Sequence, residues 1–132
     1  MNAVVENRYD DAMKEAQRAD KIIAETSVIY VIQNYPLLGV PFTVKESIAL
    51  KGLSHGTASK PRAGVKADKD AVVVERLKAA GAIPLLVSTT PEYCLSWETY
   101  NHVSGRTLNP FNLARTSGGS SGGEAALIGS GA

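Results

Sequence analysis

Between Thr116 and Ala132 the chain reads T-S-G-G-S-S-G-G-E-A-A-L-I-G-S-G-A, and Gly118, Gly119, Gly122 and Gly123 bracket a serine pair, Ser120 and Ser121. Glycine at this density weakens a backbone entropically. It signals a chain that must take positive φ, approach another group closely, or aim several N–H groups into one concavity. Glu124 to Ile128 then forms helix readily, with an acid in its first turn. Hydroxyls on a glycine loop that runs into a helix N-terminus suit an anion or a developing oxyanion. The plain alternative is a flexible Gly/Ser connector. A second chemical signal lies far upstream, at Lys45 in the stretch G-V-P-F-T-V-K-E-S. A lysine buried in an apolar strand loses hydration of its charged form, which lowers its pKa and frees a neutral amine to act as a base. An edge lysine that snorkels to solvent and pairs with Glu46 accounts for the same residues without chemistry.

Two familiar motifs fit the loop poorly. The phosphate-binding pattern G-x-x-x-x-G-K-[ST] is met by Gly118 and Gly123, but Glu124 takes the lysine position and Ala125 the hydroxyl position. A carboxylate there repels phosphate. The nucleophile-elbow pattern G-x-S-x-G is met twice, from Gly118 to Gly122 and one residue later, but it needs a strand running into the turn. Asn109-Pro110-Phe111-Asn112 argues against that strand, and only His55 and His102 could serve as the base. These histidines lie far apart with no acid at ligand spacing, so no metal site is expected.

Lys45 and the glycine loop each need a framework to position them. Asn2 to Glu25 reads as a helix, with Val5, Tyr9, Ala12, Ala16, Ala19 and Ile23 forming one apolar stripe. Ser27 to Gln33 reads as a short strand or an ordered linker. Phe42 to Val44 and Ile48 to Leu50 read as two strand pieces ended by Gly52. The polar stretch from Ser54 to Asp68 is a loop, after which Asp68 or Asp70 caps a helix running to about Ala80 and closed by Gly81. Val73, Val74, Leu77 and Ala80 form its buried face, and Ile83 to Val87 is a buried strand. Helix, glycine and buried strand make half of a βαβ unit, which points to an α/β fold. Pro91 to Trp97 is a short helix whose Tyr93, Cys94, Leu95 and Trp97 suit either a pocket wall or ordinary core, and Asn101 to Thr116 is irregular.

Composition narrows the function classes. A chain of 132 residues with 44% hydrophobic content suits one domain with a real core. A formal net charge of +1, with acids and bases interspersed, gives no case for nucleic acid or an anionic membrane surface as partner. The lone Cys94 excludes an internal disulfide and a multi-cysteine metal site, and fits a reducing, intracellular compartment. No apolar run approaches the roughly 20 residues of a membrane span, and no signal-peptide pattern opens the chain. The glycine loop comes so close to Ala132 that the chain reads as the front of something longer.

The motifs taken together carry a resemblance. Gly39-Val-Pro41-Phe-Thr-Val-Lys45-Glu46, then Ala80-Gly81-Ala82, then Thr107-Leu-Asn109-Pro110, then Arg115 through Ala126 follow one another as in the amidase signature family. The likeness covers nearly all of the chain from Leu37 onward. Within that family, Y-P-L-L-G-V-P-F-T-V-K-E-S and the Ser96-Trp97-Glu98 region are most similar to fatty-acid amide hydrolases of the second vertebrate type and their arthropod relatives. The resemblance implies the front portion of a mixed central sheet flanked by helices, residues 1–132 being the N-terminal part of a single domain. It implies a Ser–Ser–Lys system without cofactor or metal, in which Lys45 is the base and Ser120 the bridging serine, held in a cis peptide. Gly118, Gly119, Ser121, Gly122 and Gly123 are then supporting residues, and Cys94, Leu95 and Trp97 line a fatty-acyl channel. The family's nucleophilic serine comes roughly two dozen residues after the bridging one, in a G-x-x-x-G-G-S stretch. The isolated chain is accordingly expected to be inactive, and the substrate of the longer protein to be a small amide or ester with an acyl chain. Relatives of this type carry an N-terminal hydrophobic helix that is not seen here, which leaves membrane association of the full-length protein open, as it does the oligomeric state. From the residues alone, a non-catalytic module that binds an anion or carboxylate on the Gly/Ser loop remains the alternative.

Overall fold

A computed structural model describes residues 1–131 of the chain. In order, its elements are β1 (Val4–Asn7), α1 (Tyr9–Glu25), α2 (Val28–Asn34), β2 (Pro41–Lys45), α3 (Val72–Ala79), β3 (Ile83–Ser88), β4 (Tyr100–Asn101), β5 (Gly105–Arg106), β6 (Leu108–Asn109), β7 (Asn112–Thr116) and α4 (Gly122–Gly129). The fold is mixed α/β, as expected. Its main sheet has the order β1-β3-β2, with β2 parallel and β1 antiparallel to the central β3. The segment β2–α3–β3 thus completes the βαβ unit of which only half was read from the sequence.

The central strand is apolar on both faces because both faces are covered. Val87 points into a cluster with Val44, Leu50, Leu53 and Val74, under α3. Leu86, the neighbouring residue of opposite facing, joins Ala3, Ala126 and Leu127, under α4. Full burial of each such Val or Leu side chain stabilises by about 1.5–3 kcal/mol. Pro84 within this strand cannot donate to the ladder, and the register with β2 shifts beside it: Phe42 pairs with Pro84 but Thr43 with Leu86. The shift lets Lys45 finish opposite Ser88.

Several local expectations need correction. The first helix does not start at Asn2. Val4 to Asn7 is a strand, because β3 offers it a free edge, and Arg8 turns the corner into α1. The Arg8 guanidinium fixes that corner by two bonds to Glu15, at 2.6 and 3.0 Å, and one to the Pro84 carbonyl at 2.7 Å. Only Ala12 and Ala19 of the apolar stripe are fully buried; Val5, Tyr9 and Ile23 remain exposed. Ser27 to Gln33 is mostly helix, not strand: the Ser27 hydroxyl caps α2 by accepting from the Tyr30 amide, and no strand is near to pair with it. Ile48 to Leu50 is irregular rather than a strand, following a turn at Glu46 and Ser47.

No acid caps α3, whose N-cap is Ala71. Asp70 instead accepts the Lys51 amide at 2.7 Å and pairs with Lys78 at 2.6 Å. Val73 is exposed, while Gly81 takes the expected left-handed closing position at φ +95°. Glu92 to Cys94 forms only a single 3-10 turn. Asn101 to Thr116, expected to be irregular, belongs with Tyr100 to two short antiparallel ribbons, β4–β5 and β6–β7. Strands β4, β5 and β6 have only two residues each, which leaves almost no periodicity to read. Among the described residues no helix is long and apolar enough to cross a membrane.

Candidate active site

The site forms where the carboxyl end of β2 meets the start of α4. Parallel pairing to β3 carries Lys45 to the end of the sheet, and its half-buried side chain leaves the strand toward the glycine loop. The ammonium donates to Ser120 Oγ at 2.8 Å and to Ser121 Oγ at 3.1 Å. It does not pair with Glu46, so the snorkelling alternative does not describe this lysine. The Gly119–Ser120 peptide is cis. Ser120 is half-buried and Ser121 exposed.

The glycines hold this arrangement for two separate reasons. Gly118 sits at φ +78°, where an L side chain is strained, although nothing would obstruct one. Gly123 is a matter of space: a Cβ there would lie 2.5 Å from the Thr89 amide nitrogen and 2.7 Å from its carbonyl oxygen. The loop therefore rests directly on the end of β3. A strand, β7, does run into it, contrary to expectation. Its partner, however, is only β6 in a two-stranded ribbon, and neither His55 nor His102 bonds to either serine.

Beneath the loop lies a bed of threonines that sequence reasoning missed. Thr89, Thr90, Thr99 and Thr107 are all at most 1% exposed. Thr99 accepts the Gly122 amide at 2.9 Å through its hydroxyl and donates its own amide to the Gly118 carbonyl at 2.9 Å. The Thr89 and Thr107 hydroxyls share a 2.6 Å bond, and Thr107 Oγ1 donates to the Asn2 carbonyl at 2.9 Å. Thr90 Oγ1 reaches both Cys94 Sγ at 3.2 Å and the Ser120 carbonyl at 3.4 Å. The only signal in the sequence was the threonine pair directly after a buried strand, which reads as a polar turn.

A cleft of about 450 Å³ opens beside Ser120, lined by Cys94, Leu95, Ser96, Trp97 and Gly119. The structure thus places the three suggested channel residues on one wall, with Leu95 85% and Trp97 93% exposed. Tyr93 and Cys94 hold left-handed backbone at φ 50° and 62°, which turns this wall toward the loop. Burial pushes the Cys94 thiol up, but hydrogen bonding with Ser47 and Thr90 and the nearby Lys45 charge bring it below its ordinary value. Among the described residues no group of three or more His, Cys, Asp or Glu could hold a metal. Chemically, the arrangement offers an amine in contact with a serine hydroxyl, facing a cleft with an apolar wall. Such a pair can pass a proton between the amine and a third group.

Comparison with known proteins agrees with this geometry. The amidase family model matches residues 1–132. The chain is 49% identical to fatty-acid amide hydrolase 2-B of Danio rerio over 134 residues, covering 100% of this chain and 26% of that protein. It is 40% identical to fatty-acid amide hydrolase 2 of Homo sapiens, covering 97% of this chain and 24% of that protein. Among solved structures, a bacterial aryl acylamidase of the amidase signature enzymes superposes with a TM-score of 0.80 at 30% identity, over 96% of this chain and 26% of that one. The chain spans about a quarter of the length of the relatives it matches. The whole-length match of the family model, with the likeness to these relatives, shows that this chain belongs to the amidase family.

Proposed function

We propose that this chain is the N-terminal part of a single catalytic domain that hydrolyses amide bonds by a Ser–Ser–Lys relay. The observation that carries the reading is the 2.8 Å contact between Lys45 Nζ and Ser120 Oγ. In the relay, the deprotonated form of Lys45 accepts a proton through the Ser120 hydroxyl from a nucleophilic serine, and the same path returns it to the departing amine. The nucleophile is contributed by sequence following Ala132, which is why the isolated chain is expected to be inactive. Ser121 and the glycines 118, 119, 122 and 123 shape the loop. The substrate is a fatty-acyl amide whose chain lies along Cys94, Leu95 and Trp97, supported by the apolar wall of the cleft and by the names of two of the relatives.

The test is covalent labelling by a serine-directed fluorophosphonate, followed by hydrolysis of a long-chain fatty-acyl amide. The complete gene product should label and turn over, and the 132-residue chain should do neither. A complete protein that binds carboxylates but never labels would instead be the non-catalytic module.

A further inference from the structure

Glu46 directly follows Lys45 and has no part in the relay, yet it is 97% removed from solvent, being only 3% exposed. Its side chain turns toward the loop that begins at Ser54 rather than toward Ser120. There, Oε1 accepts the Ser54 hydroxyl at 2.9 Å and the Gly56 amide at 2.5 Å. The backbone is fastened as well. The Glu46 amide donates to the Ser88 carbonyl at 3.0 Å, and the Glu46 carbonyl lies 3.2 Å from His55 Nδ1. Among the described residues no cationic side chain pairs with the carboxylate, and Oε2 has no hydrogen-bond partner.

A buried carboxylate without a counter-charge is costly, and an apolar residue would serve stability better. What the acid supplies is a fixed double acceptor for the loop from Ser54 to Ser59. That loop continues to the cleft: the Tyr93 amide, at the left-handed turn before Cys94, donates to the Thr57 carbonyl at 3.0 Å. One side chain therefore ties the strand end that presents Lys45 to the wall that faces Ser120.

We propose that Glu46 is a positioning residue: its carboxylate, by holding Ser54 and Gly56, keeps the end of β2 in the register that places Lys45 on Ser120. The proposal rests on the relay for its kinetic consequence. Its structural consequence stands without it.

The experiment uses the complete gene product and compares Glu46→Ala with Glu46→Gln. Glutamine keeps an oxygen at the Oε1 position, whereas alanine removes the acceptor. Misplacement of a reacting group by about 1 Å costs on the order of 10²-fold in rate, so Glu46→Ala should lower kcat by about that factor. KM should change by less than about threefold, because a group that aligns the reaction acts in the transition state. Glu46→Gln should recover most of kcat. Ser54→Ala, which removes one of the two donors, should fall between them and serves where Glu46→Ala does not fold.

A second readout does not depend on turnover. Reductive ¹³C-methylation gives Lys45 an NMR signal, assigned by its loss in Lys45→Arg; it should be alike in wild type and Glu46→Gln, and displaced in Glu46→Ala. Unchanged kcat together with an unchanged Lys45 signal in Glu46→Ala or Ser54→Ala would overturn the proposal. So would a Glu46→Gln protein as slow as Glu46→Ala. A wild-type protein that never hydrolyses amides, but whose Lys45 signal still responds to Glu46, would sink the relay and leave the positioning role standing.

Discussion

Replacing Gly123 by alanine sets two effects of opposite sign against each other. Gly123 lies in the first turn of α4, where alanine is the better helix former by up to about 1 kcal/mol. Propensity alone therefore forecasts a more stable protein. The structure forecasts the reverse, since the new Cβ would fall 2.5 Å from the Thr89 amide nitrogen and 2.7 Å from the Thr89 carbonyl and hydroxyl oxygens. Two of these atoms are backbone of the segment leaving β3 and cannot rotate away, so α4 must lift from the sheet. Overpacking of this kind costs about 1–3 kcal/mol. Net destabilisation should be up to about 2 kcal/mol once the full propensity gain is subtracted.

Gly118→Ala is the control, because nothing lies within 4 Å of a Cβ there and only the φ of +78° resists. Its cost of about 1–2 kcal/mol is offset by about 0.4–1 kcal/mol from the less flexible unfolded chain. Urea denaturation of both variants and of wild type gives the three stabilities, with an unchanged m-value as the check on two-state behaviour. A Gly123→Ala protein at least as stable as wild type would refute the reasoning. Rescue of Gly123→Ala by Thr89→Ala would refute the narrower claim that backbone is the obstacle.

Three further outcomes follow from the same geometry. In the complete gene product, Lys45→Ala and Ser120→Ala should each lower kcat by about 10²–10⁴-fold, the range for a positioned proton-transfer group; near-normal hydrolysis by Lys45→Ala around neutral pH would exclude the lysine as base. Alkylation of Cys94 by iodoacetamide should reach half its limiting rate below the ordinary thiol value, and Lys45→Met should move that midpoint upward. The corresponding contribution to stability is present above the unfolded thiol's pKa and is lost as pH falls through the lower folded value. Asp70 titrates below its usual range: burial pushes it up, but the Lys78 ammonium and the Lys51 amide outweigh that. Its contribution is therefore present above the unfolded carboxyl value and lost as pH falls through the folded one, so Asp70→Asn should flatten the acid limb of a melting-temperature profile.

The legible parts of this chain were those with strong local signals. Ile83 to Val87 could only be a buried strand, Gly81 could only end a helix, and the glycine loop announced itself by composition. The illegible parts depend on partners distant in sequence. Val4 to Asn7 fits a helical stripe as well as a strand, and β3, some 80 residues later, decides the matter. The β-branched run in α2 looked like a strand, but Ser27 caps it and no sheet edge reaches it. The site divides in the same way. Lys45 and Ser120 were readable through a family likeness. Thr90, Thr99 and Glu46 were not, because a buried threonine or acid is identified by what it touches. Threonines in turns and a carboxylate beside a lysine look ordinary until the chain has folded.

The N-terminal strand has a consequence for how the protein is made. Asn2 Nδ2 donates to the carbonyls of Ser104 and Arg106, the Ala3 carbonyl accepts the Thr89 amide, and the Met1 carbonyl accepts the Leu108 amide. These contacts of β1 and the residues before it are thus all made with residues far later in the chain. At about 5–20 residues per second, roughly 4–20 s separate the synthesis of β1 from that of its neighbours. Until β3 is made, Val4 and its neighbours have no strand to pair with. The seating of β1 therefore waits on β3, so its strand structure can form only after a long stretch of intervening chain has been made.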